Sequence, residues 1–261
     1  MPKMTARITV PQIRQRKTDG PKISVITAYD YPSAQLVDAA GIDIILVGDS
    51  LGNVVQGKAT TLPVTVEEMI YHAEMVVRAV KNALVVVDIP FPYCQLGPKE
   101  AVKTAAKILK NSLADAVKIE GGENRSKTIK AVVDAGIPVM GHCGLQPQKI
   151  KMLGRFSLQK NKEQLLRDID AIENAGAFTA VVECVPAELA EEVTRSIGIP
   201  TIGIGAGPHC DGQVLVYHDL LGFKESAPKH VKVYANLGQI ITDAVGKYCE
   251  DVRNGRLFND K

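Results

Sequence analysis

The fold is decided by the stretch ISVITAYDYPSAQLVDAAGIDIILVG, which runs from residue 23 to residue 48. Two apolar runs, 23–29 and 43–48, enclose a segment of helical length at 33–40. The runs are nearly continuous in Val and Ile rather than alternating, which is typical of parallel strands covered on both faces. Gly41 stands where a left-handed residue ends the helix, and the next strand begins at once. The stretch therefore predicts a strand–helix–strand unit with parallel strands.

The same pattern repeats along the chain. Six further apolar runs follow: LVVVDI (84–89), DAVKI (115–119), IPVMG (137–141), FTAVVE (178–183), PTIGIG (200–205) and QVLVY (213–217). Segments of helical length lie at 65–82, 98–111, 124–135, 160–175, 187–197 and 229–252, with none between the seventh and eighth runs. Thr65 and Glu68 predict a capping box. Gly136 and Gly176, like Gly41, stand where a left-handed residue ends a helix. Strands that alternate with helices predict an α/β fold.

Two architectures fit this pattern, a closed (β/α)8 TIM barrel and a doubly wound open sheet. An open sheet commonly carries a GxGxxG turn after its first strand, whereas this chain has TAYDYPS (27–33) there. Its glycine-rich turn, GIGAGP (203–208), comes late; those glycines either expose N–H groups to an anion or relieve crowding where the barrel closes. We therefore expect one barrel domain over residues 1–261, with an N-terminal capping helix from Val10 to Lys17.

Composition excludes several function classes. The 261 residues have a net charge of +2 and only 5% aromatic residues, which gives neither the positive field nor the stacking surface of a nucleic-acid binder. The nearest two of the five cysteines, Cys184 and Cys210, are far apart, so zinc-type spacing is missing and reduced thiols are expected. No apolar run approaches the length of a membrane span. The chain is basic and free of acids before Asp19, as in a transit peptide, but we expect a cytoplasmic location.

Polar residues stand at the carboxyl ends of the predicted strands, and in a barrel these ends meet at one mouth. They are Asp49 and Ser50 after the second strand, Asp88 after the third, Lys118 and Glu120 in the fourth, His142 after the fifth and Glu183 after the sixth. Strand side chains repeat with period two, which puts Asp49 on the face of Val47 and Ile45. The same rule puts Asp88 on the face of Val86 and Leu84. If these faces point inward, the polar groups converge.

The pair of carboxylates points to a metal ion. A single Asp at a strand end is more often a helix cap or turn residue than a ligand. Two such residues, Asp49 and Asp88, need a compensating cation in an apolar setting, and an oxygen-rich site favours Mg²⁺. Lys118 and Glu120 are alternatively a simple ion pair, and His142 is alternatively a hydrogen-bonded histidine near the barrel floor.

Glu183 is the hardest of these residues to explain structurally, because a carboxylate after the apolar run FTAVV must be paired, solvated or protonated. This makes it the candidate general base. Cys143 and Cys184 follow the same strands, but we expect them to be small buried residues rather than nucleophiles. His72 lies in a predicted helix, where packing is its expected part.

Several motifs together resemble the ketopantoate hydroxymethyltransferase family. They are VGDSLGNVVQGKATTLPVTVEEMIYH (47–72), AVKIEGG (116–122), GHCGLQPQ (141–148), VVECVP (181–186), GIGAGPHCDGQVLVYHDLLG (203–222) and APKHVKVY (227–234). The resemblance implies a barrel of the phosphoenolpyruvate/pyruvate type, assembled as a homodecamer. It also implies transfer of a hydroxymethyl group from 5,10-methylenetetrahydrofolate to 3-methyl-2-oxobutanoate through a Mg²⁺-stabilised enolate, which gives ketopantoate for pantothenate biosynthesis.

The resemblance also implies a part for each polar residue at the strand ends. Asp49 and Asp88 would hold one Mg²⁺ per subunit with support from Glu120, Ser50 and Lys118 would contact the oxo acid, His142 would line the site, and Glu183 would be the base. The sequence departs from the family at IPFPYCQ (89–95), where Phe-Gly-Ser-Tyr is usual, and at Cys143, Gln146 and His230. The loop at 154–164 is only loosely similar to the family. None of these departures removes a residue assigned to the chemistry.

Two rival functions stay open at this point. One is a Mg²⁺-dependent carbon–carbon lyase of the same barrel superfamily, which would share the oxo-acid site but not the folate dependence. The other is a non-catalytic barrel that binds a partner, which we expect to have lost the metal or base residues. An assay of hydroxymethyl transfer against retro-aldol cleavage separates the two enzymes.

Overall fold

The computed structural model describes residues 7–224, 226 and 228–257. The chain divides into two compact units, Met1–Val214 and Leu215–Lys261. The first unit contains nearly all of the predicted strand–helix pattern, and the second contains the C-terminal helices. A single domain over the whole chain stays a prediction.

All eight predicted strands are present and form a closed barrel. They are β1 (Ile23–Thr27), β2 (Ile44–Val47), β3 (Leu84–Asp88), β4 (Ala116–Glu120), β5 (Val139–Gly144), β6 (Thr179–Glu183), β7 (Thr201–Ile204) and β8 (Gly212–Leu215). Neighbours in this order pair, and the pairs from β1–β2 to β7–β8 are parallel. At the closure a Cβ on Gly212 would lie 2.4 Å from the carbonyl oxygen of Ile23, so only glycine fits there. The predicted (β/α)8 barrel is confirmed.

Helices connect most of the strands, as predicted. They are α1 (Val10–Gln15), α2 (Tyr31–Ala39), α3 (Leu51–Val54), α4 (Val66–Ala79), α5 (Pro98–Ser112), α6 (Ser126–Asp134), α7 (Ile150–Leu153), α8 (Lys162–Asn174) and α9 (Ala187–Ser196), then α10 (Tyr217–Leu220) and α11 (Leu237–Arg253) in the second unit. Thr65 and Glu68 form the predicted capping box of α4. Gly41 has a φ of +86°, the left-handed conformation expected after α2. In the part of the chain that the structure describes, no helix combines the length and apolarity needed to cross a bilayer.

Both faces of the strands are buried, which explains their continuous Val and Ile content. Leu84 and Val86 of β3 pack with residues of other strands in a cluster that holds the barrel interior together. Val85 and Val87 pack instead in a second cluster with helix residues such as Met69 of α4. The side chains at positions 84, 86 and 88 therefore point inward, and this alternation sets which strand-end residues face the mouth.

The N-terminal segment closes the opposite end of the barrel. Ile13 of α1 is fully buried in the interior cluster, which confirms the capping helix. Three aspartates that directly precede strands each pair with a cation of this segment: Asp43 with Arg16 at 3.0 Å, Asp211 with Lys17 at 2.9 Å and Asp115 with Arg7 at 3.6 Å. We call this end of the barrel, with its three aspartates, the barrel floor. Each also accepts a backbone N–H bond, so the basic residues of the N-terminus have a structural part.

The last helix begins later than predicted. The sequence pattern placed its start at residue 229, whereas α11 begins at Leu237. Upstream, the backbone N–H of Tyr234 donates to the carbonyl of Leu220 and that of Leu237 to the carbonyl of Leu221. Pairing with this turn competes with the helical hydrogen-bond pattern, and helical periodicity in the sequence does not reveal it.

Candidate active site

Four strand ends deliver polar side chains to one mouth of the barrel. Asp88 ends β3, Lys118 and Glu120 end β4, His142 lies in β5 and Glu183 ends β6. Two positions before each group the strand places an apolar residue in the interior cluster, as Val86 does before Asp88 and Met140 before His142. The predicted convergence of these five residues follows from this inward register.

Asp49 reaches the mouth by a different route from the one predicted. Ile45 and Val47 face the helices, so sharing their face would turn Asp49 away from the interior. The period-two argument is wrong here because β2 ends at Val47 and a turn follows. In that turn the backbone N–H of Asp49 donates to Asp88 Oδ2 at 3.0 Å. A Cβ at Gly48 would lie 2.8 Å from Ser50 Oγ, so glycine leaves room for that hydroxyl in its observed position.

The mouth holds three buried carboxylates around one buried lysine. Lys118 Nζ lies 2.8 Å from Asp88 Oδ1, and the side chains of both residues are about nineteen-twentieths buried. Burial and the neighbouring Asp88 charge raise the pKa of Asp49 to about 7. Burial and the charge of Asp49 likewise raise the pKa of Glu120 well above its ordinary value. Burial would lower the pKa of Lys118, but the three carboxylates outweigh it and raise that pKa. We call Asp49, Asp88 and Glu120 the acidic mouth.

His142 joins the lysine to the candidate base. Its Nδ1 lies 3.3 Å from Lys118 Nζ, and its Nε2 lies 3.1 Å from Glu183 Oε2. Burial and the Lys118 charge lower the pKa of His142, so the ring is neutral at pH 7. Because the ammonium can only donate, Nδ1 accepts and the ring proton sits on Nε2, facing Glu183. The alternative position of His142 near the barrel floor is wrong.

Gln148 ties the carboxylates together and was missed by the sequence analysis. Its side-chain amide donates to Asp49 Oδ2 at 3.0 Å and to the carbonyl of Ile89 at 3.1 Å. Its backbone N–H donates to Glu120 Oε2 at 3.1 Å, and its own side-chain oxygen accepts from Gln95 at 3.1 Å. The residue lies beyond β5 in a short turn, where strand periodicity has no bearing. Its place in GHCGLQPQ was the one available signal.

A hydroxyl pair lies on the other side of Asp49. Ser50 Oγ and the hydroxyl of Tyr29 are 2.9 Å apart. Burial raises the pKa of Tyr29, which keeps the phenol neutral and able to donate. His72 is held by the main chain, because its Nδ1 lies 2.6 Å from the carbonyl oxygen of Tyr29, and the packing expected of it stays a prediction. Tyr29 was not predicted, although it ends the first apolar run.

The donor set fits a divalent cation. Three buried carboxylates face one ammonium, and the raised pKa of Asp49 shows that ionising them all without another cation is unfavourable. Asp49 and Asp88 are joined directly through a hydrogen bond. Across residues 7–224, 226 and 228–257, no three side chains of His, Cys, Asp or Glu are grouped to hold a metal by themselves. The arrangement fits Mg²⁺, which keeps waters and takes oxygens from a substrate. Glu120 as a third ligand stays a prediction.

The strand-end cysteines behave as small buried residues. Cys143 is fully buried in the second cluster, between the strands and the helices, and burial raises the pKa of its thiol. Burial also raises the pKa of Cys184 to about 11. Neither thiol ionises readily at neutral pH, so neither cysteine is expected to act as a nucleophile. All five cysteines have free thiols, as predicted.

The glycine-rich turn after β7 serves close packing. A Cβ on Gly207 would lie 2.4 Å from the Cβ of Ala187, the first residue of α9. Gly203, within β7, is less restricted, because a Cβ there would lie 3.1 Å from Cys210 Sγ. These contacts favour relief of crowding over an anion site.

The sequence profile of one family matches the chain from residue 7 to residue 259, and that family is ketopantoate hydroxymethyltransferase. The chain belongs to the ketopantoate hydroxymethyltransferase family. The match covers the barrel, the acidic mouth and the candidate base, so the predicted family resemblance is confirmed. It also confirms the prediction that the chain is an enzyme of this family.

Members of the ketopantoate hydroxymethyltransferase family are similar over their full lengths. A 3-methyl-2-oxobutanoate hydroxymethyltransferase of Trichlorobacter lovleyi is 52% identical over 256 residues, which are 97% of this chain and 96% of that protein. The protein of the same name from Moorella thermoacetica is 52% identical over 257 residues, with the same coverage. The chain thus spans nearly all of these relatives.

Solved structures share the fold at low identity. A 2,3-dimethylmalate lyase of the PEP mutase/isocitrate lyase superfamily has a TM-score of 0.63 and 18% identity, and the match covers 97% of this chain and 90% of that one. A phosphonopyruvate hydrolase in complex with oxalate and Mg²⁺ has a TM-score of 0.64 and 13% identity, with the same coverage. These likenesses support the predicted (β/α)8 barrel fold. They do not favour the lyase alternative, because identity this low bears on the fold alone.

Proposed function

We propose that the chain transfers a hydroxymethyl group from 5,10-methylenetetrahydrofolate to 3-methyl-2-oxobutanoate and so forms ketopantoate. The names of relatives at 52% identity support the oxo acid and the reaction type. One structural observation carries the proposal: an acidic mouth with a single lysine lies next to a His–Glu pair. A cation site beside a base is what removal of a proton next to a carbonyl requires.

Asp49 and Asp88 would hold one Mg²⁺, with Gln148 fixing the orientation of Asp49. When bound, the cation would draw electron density from the oxo acid and so acidify its C3 proton. Glu120 is turned toward Gln148 and His142, with 3.7 Å between its Oε1 and the ring Nδ1. From there it would support the charge balance of the site.

Lys118 would bind the substrate carboxylate. Its ammonium is buried, held by Asp88, and unable to move far, so it fixes the direction in which C3 points. Ser50 would contribute its hydroxyl to the same carboxylate, held in place by Tyr29. Burial of the surrounding groups excludes water, which strengthens these charged contacts.

Glu183 would take the proton from C3. Its side chain is 17% exposed, the most open carboxylate at the mouth, so a substrate can reach it. His142 donates from Nε2 toward one carboxylate oxygen and leaves the other for the proton. The carbon freed of its proton would then attack the methylene carbon of the folate. Water would supply the hydroxyl oxygen, both C–N bonds of that methylene would break, and tetrahydrofolate would leave with its two nitrogens protonated, so no covalent bond to the protein is needed.

The proposal includes two further properties. Assembly as a homodecamer rests on the family resemblance alone, and a cytoplasmic location rests on the expected reduced thiols. Neither a nucleic acid nor a membrane is among the proposed partners.

Proton exchange at C3 tests the proposal in parts. In D₂O, with Mg²⁺ and without folate, NMR should show the wild-type protein exchanging the C3 proton of 3-methyl-2-oxobutanoate. Glu183→Gln should slow the exchange by at least about 100-fold, the usual range for losing a general base, while still binding the oxo acid. The control Glu188→Gln changes an exposed carboxylate of α9 and should exchange normally. Exchange by Glu183→Gln at the wild-type rate would show that Glu183 is not the general base.

A further inference from the structure

A cavity of about 330 Å³ lies beside the carboxyl ends of β5 and β6. Its lining includes Asn124, Gly144, Gln146, Lys149, Gln164 and Asp168. Gly144 pairs with Glu183 across the two strands, and the backbone N–H of Leu145 donates to the carbonyl of Glu183 at 2.8 Å. One wall of the cavity is therefore built on the backbone that carries the proposed base.

Two polar groups of this lining have no protein partner. The side chain of Gln146 is buried, with 7% of the residue exposed, and Lys149 is half-buried. Among the described residues, neither side chain makes a hydrogen bond or an ion pair. Burial lowers the pKa of Lys149, as expected for an ammonium without a close counter-ion. Asp168 differs, because it accepts from the N–H of Glu123 and from Gln164. Buried polar groups are nearly always satisfied, so the Gln146 side chain, which lines the cavity without a protein partner, points to a ligand there, and Lys149 offers a donor beside it.

We infer that this cavity binds the pteridine ring of the folate co-substrate, an assignment that rests on the proposed function. The one-carbon unit of that co-substrate is attached next to its pteridine ring and must reach the carbon that Glu183 deprotonates. A pteridine edge carries amide-like donors and acceptors, which match Gln146, Asn124 and Lys149. Ligand sites usually measure roughly 300–1,000 Å³. At this size the cavity suits the bicyclic ring, and the rest of the co-substrate would lie outside it.

The rim of the cavity matches the remainder of a folate. The segment 149–160 contributes Lys149, Leu153 and Gln159 to the cavity lining, and it exposes Met152 and Phe156, which are 86% and 62% exposed. Exposed apolar side chains on a segment that lines the cavity would suit a benzoyl ring. The same segment carries Lys151, Arg155 and Lys160 and no acid. Such a run of positive charge attracts the carboxylates of a glutamyl tail.

Direct binding tests this inference. Tetrahydrofolate is titrated into the wild-type protein and into the variants Gln146→Leu and Lys149→Met, with intrinsic fluorescence or calorimetry as the readout. Each variant loses a polar contact to the ring, so its Kd should rise about tenfold, the equivalent of about 1.4 kcal/mol. Lys110→Met, an exposed lysine of α5, should bind like the wild type.

Proton exchange at C3, measured without folate, separates the possible results. The inference expects any change in exchange to be at least fivefold smaller than the loss of tetrahydrofolate affinity. Wild-type affinity in both folded variants would overturn the cavity assignment and leave the proposed function standing. A wild-type protein that exchanges the proton but binds no tetrahydrofolate would instead contradict the folate part of the proposed function, and this inference with it.

Discussion

The two ends of the barrel balance the charge of their acids in opposite ways. At the barrel floor each aspartate has its own cation from the N-terminal segment, at N–O distances of 3.6 Å or less. At the acidic mouth three carboxylates share Lys118. The floor residues also cap backbone N–H groups, whereas Asp49 at the mouth takes its bonds largely from a glutamine.

The acids of the floor stabilise the fold, whereas those of the mouth lower its stability in favour of function. Acids matched one-to-one with cations hold a fold together, while an unmatched group of buried acids destabilises it until a further cation arrives. The mouth is therefore shaped for a state that includes a ligand. Comparing equivalent changes at the two ends measures this contrast directly.

The largest effect is expected from Lys118→Met. Removal of the one cation leaves the acidic mouth uncompensated, and breaking a buried ion pair costs about 3–5 kcal/mol of unfolding free energy. Lys17→Met at the floor removes a partly exposed pair, so its cost should be about 1 kcal/mol, with turnover retained. Urea unfolding of both variants gives the comparison. Equal losses of unfolding free energy in the two variants would contradict the expected difference between the two ends.

The next largest effect is expected from Gln148→Leu. Loss of the amide frees Asp49 to rotate, and substitutions behind a metal ligand usually weaken metal binding by about 10–100-fold. We expect about a tenfold rise in the Kd for Mg²⁺ by calorimetry. Gln12→Leu in the capping helix is the matched change at the floor end and should leave this Kd unaltered. A normal Kd in Gln148→Leu would show that Asp49 is held by other contacts.

The smallest effect concerns pH and the metal-free protein. The pKa of Asp49 is about 7 in the folded protein, above the ordinary value of 3.8. The folded state thus holds a proton that the unfolded state has lost between about pH 4 and pH 7, so this group's contribution to stability falls as pH rises through that window. Asn stays neutral, and Asp49→Asn should raise Tm by a few degrees at pH 8 but not at pH 4.

Asp43→Asn at the floor is the matched control for the pH measurement. It removes the ion pair with Arg16 and should lower Tm at pH 8, the opposite sign from Asp49→Asn. Both melts are run with a chelator present. A Tm that falls in both variants would mean that the acids of the mouth stabilise the fold as those of the floor do.

The barrel could be predicted from the sequence because its strands are buried on both faces. Continuous Val and Ile runs mark such strands, and the carboxyl ends of parallel strands must meet. Asp88, Lys118 and His142 stand at strand ends, so the sequence predicts that they meet at one mouth. The family resemblance implies the chemistry that position alone leaves open.

Residues outside the strands could not be predicted in this way. Asp49 lies after β2, where a turn rather than the strand period decides its direction. Gln148 lies in the turn after β5 and acts through four hydrogen bonds to residues distant in sequence. The basic N-terminus could not be assigned to the floor because ion pairs between distant segments leave no local pattern.

Calorimetric titration of Mg²⁺ in the presence of 3-methyl-2-oxobutanoate tests the central claim most directly. The wild-type protein should bind one Mg²⁺ per chain, and Asp49→Asn and Asp88→Asn should each weaken that binding at least tenfold, while Asp43→Asn binds normally. Unchanged Mg²⁺ affinity in both mouth variants would contradict the claim that the acidic mouth holds the cation.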